Sequence, residues 1–373
     1  MRALFVSEGS LGSGIMGPVA VAEAIRGGLD GRPDVVARFV GLGPQGTAAG
    51  LAAREVPGLR GLDLDLQPVR WHAVQAVRAR HLVEHALESF AADVLHVNSH
   101  SIAMGLGATM GTIPTLLAVD VTVLEWQTMG VWRPFRPYSR ALLAPSLARE
   151  RRALERAASV LAFTEWSAEG VRRAAPGARV EVLHPGLDLE RYRPAPRPAR
   201  DRPRLLFVGG RFAEKGGDDL LRAVGPLLGH ELDVDLVTSA TVPATHGVTV
   251  HRLASGTPEL VRLYQEADIF CLPTHADAVP WAVLEAMASG APVISTAVGA
   301  IPELLDHGAA GVIVAPHDVE ALAAAVRGLL ADRGRRDAVA ARARARCEEH
   351  FDHRRQADRL VDLARRLSTA PQS

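Results

Sequence analysis

The sequence is short of several residue types and patterns, and each shortage excludes a class of protein. Its two cysteines, Cys271 and Cys347, are too few for a disulfide framework or a zinc set, which fits a reducing cytoplasm. No apolar run approaches the roughly 20 residues of a membrane helix, and the first is too short for a signal peptide. Formal net charge is zero, which provides no field to attract nucleic acid. We therefore expect a cytoplasmic protein without a transmembrane segment or a nucleic-acid partner.

Lysine is almost absent. Lys215 is the single lysine among 42 basic residues, in a chain rich in alanine, arginine, glycine and proline. Such a composition is typical of a high-GC bacterial genome, which favours arginine over lysine. A lysine that persists there indicates a need for an ammonium group, although one lysine can also remain by chance.

The length and the strand–helix alternation predict an α/β protein of two domains. With 373 residues, 48% of them hydrophobic, the chain can fill two cores. The predicted organisation is a first domain over residues 1–188, a stiff linker rich in proline and arginine over 189–203, a second domain over 204–353 and a final helix over 354–373.

A glycine-rich segment follows the first predicted strand. Gly12, Gly14 and Gly17 have the Gly-x-Gly-x-x-Gly spacing of a dinucleotide-binding loop. That fingerprint also needs an acid at the end of the second strand, where this chain has Gly41-Leu-Gly43, and this counts against an NAD-dependent oxidoreductase. We interpret the loop as backbone N–H groups that face phosphates or the reaction centre, with a plain tight turn as the alternative.

A second glycine turn follows the predicted strand 204–208. It contains Gly210, Arg211 and Lys215 and leads into a helix. A diphosphate needs cations and a close backbone approach, and glycine together with arginine and lysine supplies both. We predict that this turn binds phosphate; a solvated loop pair is the alternative.

Two acidic residues that lie eight positions apart follow another predicted strand. Asp277 lies in the loop after strand 269–272, and Glu285 lies in the predicted helix 281–289. Ligands of open α/β sheets bind at the carboxyl ends of strands, so both carboxylates can face one ligand. The alternative is an exposed loop aspartate and an ordinary helix glutamate.

Four further features are polar or aromatic. His100 follows a predicted buried strand, and Asp120 ends the next one. The Asp63-Leu-Asp65 triplet spells a metal-binding motif, but its setting is simple alternation leading into a helix, so no metal is assigned. The aromatic and basic segment 124–143 is either a mobile or acceptor-facing segment or a core-packed connection.

The segment around the two acids resembles the signature of retaining GT-B glycosyltransferases, in which two acids separated by seven residues hold the donor. Glu285-Ala-Met-Ala-Ser-Gly-Ala-Pro-Val matches closely. Asp277 stands where the family usually has glutamate, and Ala278-Val-Pro280 replaces a usual Gly-aromatic-Gly. The resemblance covers most of residues 200–330 and, more weakly, the N-terminal half.

This resemblance implies the GT-B fold: two Rossmann-like domains with parallel sheets facing across a cleft, and a final helix that crosses back to the first domain. It implies transfer of a sugar, with retention, from a nucleotide-diphospho-sugar to a small-molecule, glycan or lipid-linked acceptor. No metal or cofactor is expected, and peripheral membrane contact is compatible with the sequence. A non-catalytic nucleotide-sugar-binding module and a GT-B-like epimerase or phosphorylase remain alternatives.

The resemblance also implies roles for individual residues. Asp277 would contact the donor sugar, and Glu285 would accept from the ribose hydroxyls. Arg211 and Lys215 would bind the diphosphate. The loop with Gly256 would meet the base through backbone groups. Candidates for contact with the sugar or acceptor are His100 and Asp120, for which a loop histidine and a capping aspartate are the alternative.

Overall fold

The computed structural model describes residues 1–9, 18–43, 46–130 and 133–369. The chain divides into two compact units. The first comprises Met1–Gly186 together with the chain from His353 onward, and the second comprises Leu187–Asp352.

The first unit is built on a six-stranded parallel sheet in the order β2-β1-β3-β4-β5-β6. Most of its inner strand positions are buried and apolar, as in parallel sheets covered on both faces. The strands are β1 (Arg2–Ser7), β2 (Val36–Gly41), β3 (Val94–Asn98), β4 (Thr115–Val119), β5 (Ser159–Ala162) and β6 (Val180–Val182).

Helices cover this sheet, and their buried aliphatic side chains form one core with those of the strands. Short 3₁₀ turns lie at Arg60–Leu62 and Thr109–Gly111. The helices are α1 (Pro18–Gly28), α2 (Thr47–Ala53), α3 (Gln67–Ser89), α4 (His100–Ala103), α5 (Val123–Thr128), α6 (Ser139–Leu142), α7 (Ala144–Arg156) and α8 (Glu165–Ala174).

The second unit contains a six-stranded parallel sheet in the order β12-β11-β10-β7-β8-β9, the 3-2-1-4-5-6 order of a Rossmann fold read from the other edge. Its strands are β7 (Arg204–Val208), β8 (Asp233–Val237), β9 (Val248–His251), β10 (Ile269–Leu272), β11 (Val293–Thr296) and β12 (Val312–Val314). Its helices are α9 (Gly217–Val224), α10 (Pro258–Glu266), α11 (Trp281–Ala288), α12 (Ile301–Leu304), α13 (Val319–Ala331) and α14 (Arg333–His350), and 3₁₀ turns lie at Gly225–Leu227 and Asp306–Gly308.

The last helix, α15 (His353–Thr369), follows the second unit in sequence but packs on the first. It lies against α1 so closely that a Cβ on Gly28 would stand 2.6 Å from the Ala357 Cβ. Arg32 and Asp358 form an ion pair across this contact. The predicted fold class, with two Rossmann-like parallel sheets and a returning C-terminal helix, is confirmed.

The predicted strands 204–208 and 269–272 correspond to β7 and β10, but several helices were not predicted. Helices α2, α4, α5 and α6 were missing from the prediction, and α14 runs to His350, whereas the arginine-rich segment predicted a helix that ends at Arg346. Alanines and Cys347 bury one face of α14 through its last turns, which the many arginines of the helix obscured.

The segment before β7 packs on the second unit. The Arg344 guanidinium on α14 donates to the carbonyl oxygens of Tyr192 and Ala288, both at 2.7 Å. Among the described residues, we find no helix that combines the length and the apolar character needed to cross a membrane.

Candidate functional site

The sheet of the second unit reverses its strand order between β7 and β10, which lie side by side. Beyond the carboxyl ends of two such strands, the connecting loops part and leave room for a ligand. Lys215 lies in the turn after β7, and Asp277 lies in the loop after β10. The fold therefore puts both predicted residues beside the switch point.

The turn that carries Lys215 is tight and depends on glycine. The backbone N–H of Lys215 donates to the Arg211 carbonyl at 2.9 Å, which closes one turn. Gly216 follows with φ +75°, and a Cβ there would stand 1.9 Å from the Pro273 carbonyl oxygen. Glycine thus allows the two strand ends to approach each other closely.

Lys215 and Asp277 are in direct contact. The Lys215 ammonium donates to Asp277 Oδ2, and both side chains are mostly buried, at 21% and 16% exposed. An ammonium carries three donors and a carboxylate several acceptor positions, so each group can bind a ligand while keeping this bond. The pair places a cation and an anion side by side at the switch point.

The loop that carries Asp277 is held by its neighbours. Thr296 Oγ1, at the end of β11, donates to the Thr274 carbonyl at 2.6 Å, and the Ala300 N–H donates to the Ala278 carbonyl at 2.9 Å. A Cβ on Gly299 would stand 2.0 Å from the Asp277 carbonyl oxygen. These contacts fix the backbone of Asp277 before any ligand arrives.

Arg211 and Gly210 share the turn with Lys215 but not its ion pair. The Arg211 side chain is 59% exposed and lies 3.5 Å from Glu214. The Gly210 carbonyl accepts from Ser239 Oγ at 3.0 Å, which ties the turn to the end of β8. An exposed guanidinium on a fixed turn can reach toward a bound anion.

Glu285 is buried in the middle of α11. Its Oε1 accepts from the Tyr192 hydroxyl at 2.9 Å and its Oε2 from the Tyr264 hydroxyl at 2.7 Å. Burial raises the pKa of the Glu285 carboxyl, although the two tyrosine hydrogen bonds lower it in part. The role predicted for Glu285, binding ribose, stays a prediction. The tyrosine pair was not foreseen, because Tyr192 lies 93 positions away in the chain.

Gly256 lies in the loop that enters α10. Its φ is +69°, which favours glycine, and a Cβ would stand 3.1 Å from the Arg191 guanidinium. Thr257 then caps the helix by accepting from the Leu260 N–H at 3.4 Å. The binding of a base at this loop remains a prediction.

In the first unit the strand order reverses between β1 and β3, and the carboxyl group of Glu8, which no sequence motif indicates, follows β1 there. Glu8 accepts from Ser99 Oγ at 2.7 Å. Burial raises the pKa of Glu8 to about 7, the Ser99 hydrogen bond opposes this, and the Asp120 charge adds to it. The Asp120 carbonyl accepts from Ser167 Oγ at 2.6 Å.

The predicted glycine-rich loop with Gly12 and Gly14 lies outside the described residues.

His100 opens α4 and is largely buried, with 12% of its side chain exposed. Burial lowers the pKa of His100 to about 4, so its imidazole is neutral at pH 7. Its Nδ1 lies 3.9 Å from Glu150 Oε1 and has no hydrogen-bond partner among the described residues. Its ring meets His72 edge to face, at 6.1 Å between centroids. His100 thus belongs to a buried polar cluster with Glu150 and His72.

The Asp63-Leu-Asp65 triplet binds an arginine of its own chain. Arg133 Nε lies 2.9 Å from Asp63, and its terminal nitrogen contacts Asp65. Asp63 also accepts from the buried Ser139 hydroxyl. Of the two interpretations of segment 124–143, its described residues around Arg133 therefore support the core-packed connection.

Comparison with known proteins places this geometry in a family. The model of the family "Glycosyl transferases group 1" matches residues 202–332, which contain Lys215, Asp277 and Glu285. Residues 202–332 belong to the glycosyl transferases group 1. The family predicted from the acidic motif is thus confirmed, and the turn of Lys215 and the loop of Asp277 both lie inside the group 1 region.

Curated relatives cover about half of the chain. A D-inositol 3-phosphate glycosyltransferase of Mycobacterium marinum is 33% identical over 218 residues, which are 52% of this chain and 47% of that protein. One from Saccharomonospora viridis is 31% identical over 226 residues, 53% of this chain and 52% of that protein. The chain thus spans about half the length of these relatives.

Solved structures cover nearly the whole chain. Sucrose-phosphate synthase from Thermosynechococcus elongatus is similar with a TM-score of 0.72 and 18% identity, over 98% of this chain and 99% of that one. The Anabaena protein HepE in complex with UDP-glucose is similar with a TM-score of 0.69 and 15% identity, over 98% and 100%. The likeness shows the GT-B fold.

Proposed function

We propose that this protein is a metal-independent, retaining glycosyltransferase of the cytoplasm that uses a nucleotide-diphospho-sugar donor. The observation that carries the proposal is the contact of Lys215 with Asp277 at the switch point of the second sheet. One oxygen atom joins the sugar of such a donor to its distal phosphate. Groups that hold the phosphate and the sugar must therefore be neighbours, and this pair supplies a cation for one and an acceptor for the other.

Each residue of this site has a role in the proposed reaction. Negative charge grows on the departing diphosphate as the glycosidic bond breaks, and the Lys215 ammonium, already fixed by Asp277, stabilises it. Arg211 adds a second cation from the exposed side of the same turn. Asp277 accepts a hydrogen bond from a sugar hydroxyl through its free acceptor positions. No side chain is proposed as a covalent nucleophile, and retention follows from the family resemblance.

The nucleotide would extend from this pair toward the loop of Gly256 and the helix of Glu285. HepE was solved with UDP-glucose, which makes uridine diphospho-sugars the first donors to test. The relatives are named D-inositol 3-phosphate glycosyltransferases, which makes a phosphorylated cyclitol the first acceptor to test. In the first unit, the carboxyl-end groups Glu8 and Asp120 are the proposed acceptor-side contacts, whereas His100 is largely buried beside Glu150.

The proposal is tested in two steps. Thermal shift against UDP-, GDP-, ADP- and dTDP-sugars identifies the donor. Release of nucleoside diphosphate from that donor is then measured with and without D-inositol 3-phosphate and other phosphorylated polyols. Release that depends on donor and rises with acceptor supports a glycosyltransferase. Donor binding with no release in the presence of any acceptor would instead indicate a nucleotide-sugar-binding module.

A further inference from the structure

Three side chains from separate parts of the second unit meet in a cluster of two imidazoles and one carboxylate. Asp219 lies in the first turn of α9, His275 in the loop after β10, and His317 just before α13. His275 Nε2 lies 2.8 Å from Asp219 Oδ2, and His317 Nδ1 lies 3.8 Å from the same oxygen. The ligand-type atoms of all three lie within 4.8 Å of one another.

The cluster opens to solvent on one side only. Asp219 and His275 are mostly buried, at 6% and 17% exposed, whereas His317 is 68% exposed. The two imidazole rings lie 3.8 Å apart between centroids. His317 has φ +65°, in the left-handed region that favours glycine. An ion can therefore enter from the side of His317 and meet two ligands already in place.

We propose that Asp219, His275 and His317 bind a zinc ion. Zinc takes imidazole nitrogens and carboxylate oxygens at about 2.0–2.2 Å, and in a tetrahedral site such ligand atoms lie about 3.3 Å apart. The observed distances of 2.8 Å and 3.8 Å bracket that spacing. Three protein ligands leave the fourth position to water. Of the abundant divalent ions, calcium and magnesium prefer sites composed entirely of oxygen, which this one is not.

Surrounding contacts orient two of the ligands, as outer partners do in metal sites. The Arg222 guanidinium contacts Asp219 Oδ1, which leaves Oδ2 directed at the two histidines. The backbone N–H of His275 donates to the Glu214 carbonyl at 3.0 Å, which fixes the start of its side chain. Small movements of the exposed His317 side chain would then complete the coordination.

A bound zinc ion would cross-link the loop of Asp277 to α9 and to the start of α13. His275 precedes Asp277 by two positions, so the ion would stiffen the backbone that presents this carboxylate. The role is structural: the proposed ligands include neither Lys215 nor Asp277, and the inference does not depend on the proposed glycosyl transfer. Zinc binding can therefore be tested without any donor or acceptor.

The test compares two exposed histidines that share a backbone conformation. His307 is exposed, has φ +51° and belongs to the same unit, but lies outside the cluster. Zinc is titrated calorimetrically into the tag-free wild-type chain and into its His317→Ala and His307→Ala variants. All of these proteins, including the one called wild type in this comparison, carry a His85→Ala background substitution, since His81 and His85 stand four apart on the exposed face of α3 and could chelate zinc themselves.

We expect wild type and His307→Ala to bind one equivalent of zinc with equal affinity. His317→Ala should bind at least tenfold more weakly, and Asp219→Asn should do the same. Cobalt(II) added in place of zinc should give the intense visible bands of a four-coordinate ion in wild type and lose them in His317→Ala. Melting temperatures without metal should match for the two histidine variants, which excludes misfolding. Unchanged zinc affinity in His317→Ala, or no stoichiometric binding in wild type, would overturn the proposal.

Discussion

The Lys215 ammonium contacts the Asp277 carboxylate although 62 positions separate the two residues in the chain. The contact arises because β7 and β10 are neighbours in the sheet and because Gly216 lets the two following loops touch. A cation and a carboxylate of the proposed donor site are thereby already assembled in the folded chain. A ligand that binds here meets preformed charges instead of having to order two mobile side chains.

Variants of Asp277 test whether the carboxylate of this pair binds the donor sugar. Asp277→Asn keeps the size of the side chain and removes its charge. It should lower kcat/KM for the best donor by about 1.5–3 kcal/mol, the loss of a hydrogen bond to a charged group. Calorimetric affinity for the free nucleoside diphosphate should not fall, because the lost contact is to the sugar. Asp277→Glu should impair turnover or change the preferred donor, because its carboxylate is displaced by about 1.5 Å.

The control for Asp277 is Asp337→Asn, an exposed aspartate of the same unit that lies 3.7 Å from Arg333. Its turnover should equal that of wild type. Normal turnover by Asp277→Asn would show that the carboxylate does not hold the sugar and acts only as a partner of Lys215.

Glu285 is expected to combine a structural role with a ligand role. If one of its remaining acceptor positions binds the ribose, Glu285→Gln should weaken donor and free nucleoside diphosphate by the same factor in calorimetric titrations. Equal diphosphate affinity in Glu285→Gln and wild type would leave only the structural role, as the partner of Tyr192 and Tyr264.

A Tyr264 variant tests the structural role of Glu285 through protein stability. Tyr264→Phe removes the donor to Glu285 Oε2 at a fully buried position. It should lower the free energy of unfolding by about 1–3 kcal/mol, because a buried acceptor loses its partner. Tyr138→Phe is the control: its hydroxyl also donates to a neighbour, the Leu62 carbonyl, but the residue is 42% exposed and water can replace the bond. Equal losses in chemical denaturation would contradict the role of the buried tyrosine.

The buried groups Glu150 and His100 predict that the free energy of unfolding falls both at alkaline pH and at acidic pH. Burial raises the pKa of Glu150 to about 8, so the folded state disfavours its ionised form and the free energy of unfolding falls as pH rises from 4.5 toward 8. Burial lowers the pKa of His100 to about 4, so the free energy of unfolding also falls as pH drops from 6.5 toward 4.

Glu150→Gln should remove the alkaline part of this profile. The amide oxygen can still accept from the Val123 N–H, as Glu150 does at 2.8 Å, but it never ionises. Relative to wild type, the variant should gain on the order of 2–4 kcal/mol between pH 5 and pH 8, as measured by denaturant titration. Glu155→Gln, on the exposed face of the same helix, should leave the profile unchanged. Parallel pH profiles for wild type and Glu150→Gln would refute the assignment.

Features set by local sequence could be predicted, whereas those set by distant contacts could not. Apolar runs located the strands 204–208 and 269–272, because the buried strands of a parallel sheet are apolar along their length. The spacing of Asp277 and Glu285 indicated the family. Lys215 stood out because it is the only lysine.

Partners far apart in sequence remained hidden. Nothing local indicates that Tyr192 reaches Glu285 or that Arg133 neutralises Asp63 and Asp65. These pairings depend on the order of strands and the packing of connections. His100 shows the same limit, because a histidine after a strand can face a ligand or the core, and only the packing of α4 against its neighbours places it among buried groups.

Turnover of the Lys215 variants tests the proposed chemistry most directly. With the best donor found, kcat/KM of Lys215→Ala should be about a hundredfold to a thousandfold lower than that of wild type, the cost of one preorganised charge contact in the transition state. Lys215→Arg should recover only part of the lost kcat/KM, because a planar guanidinium replaces a compact ammonium. Arg333→Ala, which removes an exposed cation from the same unit, should turn over normally. Wild-type kcat/KM in Lys215→Ala would contradict the account.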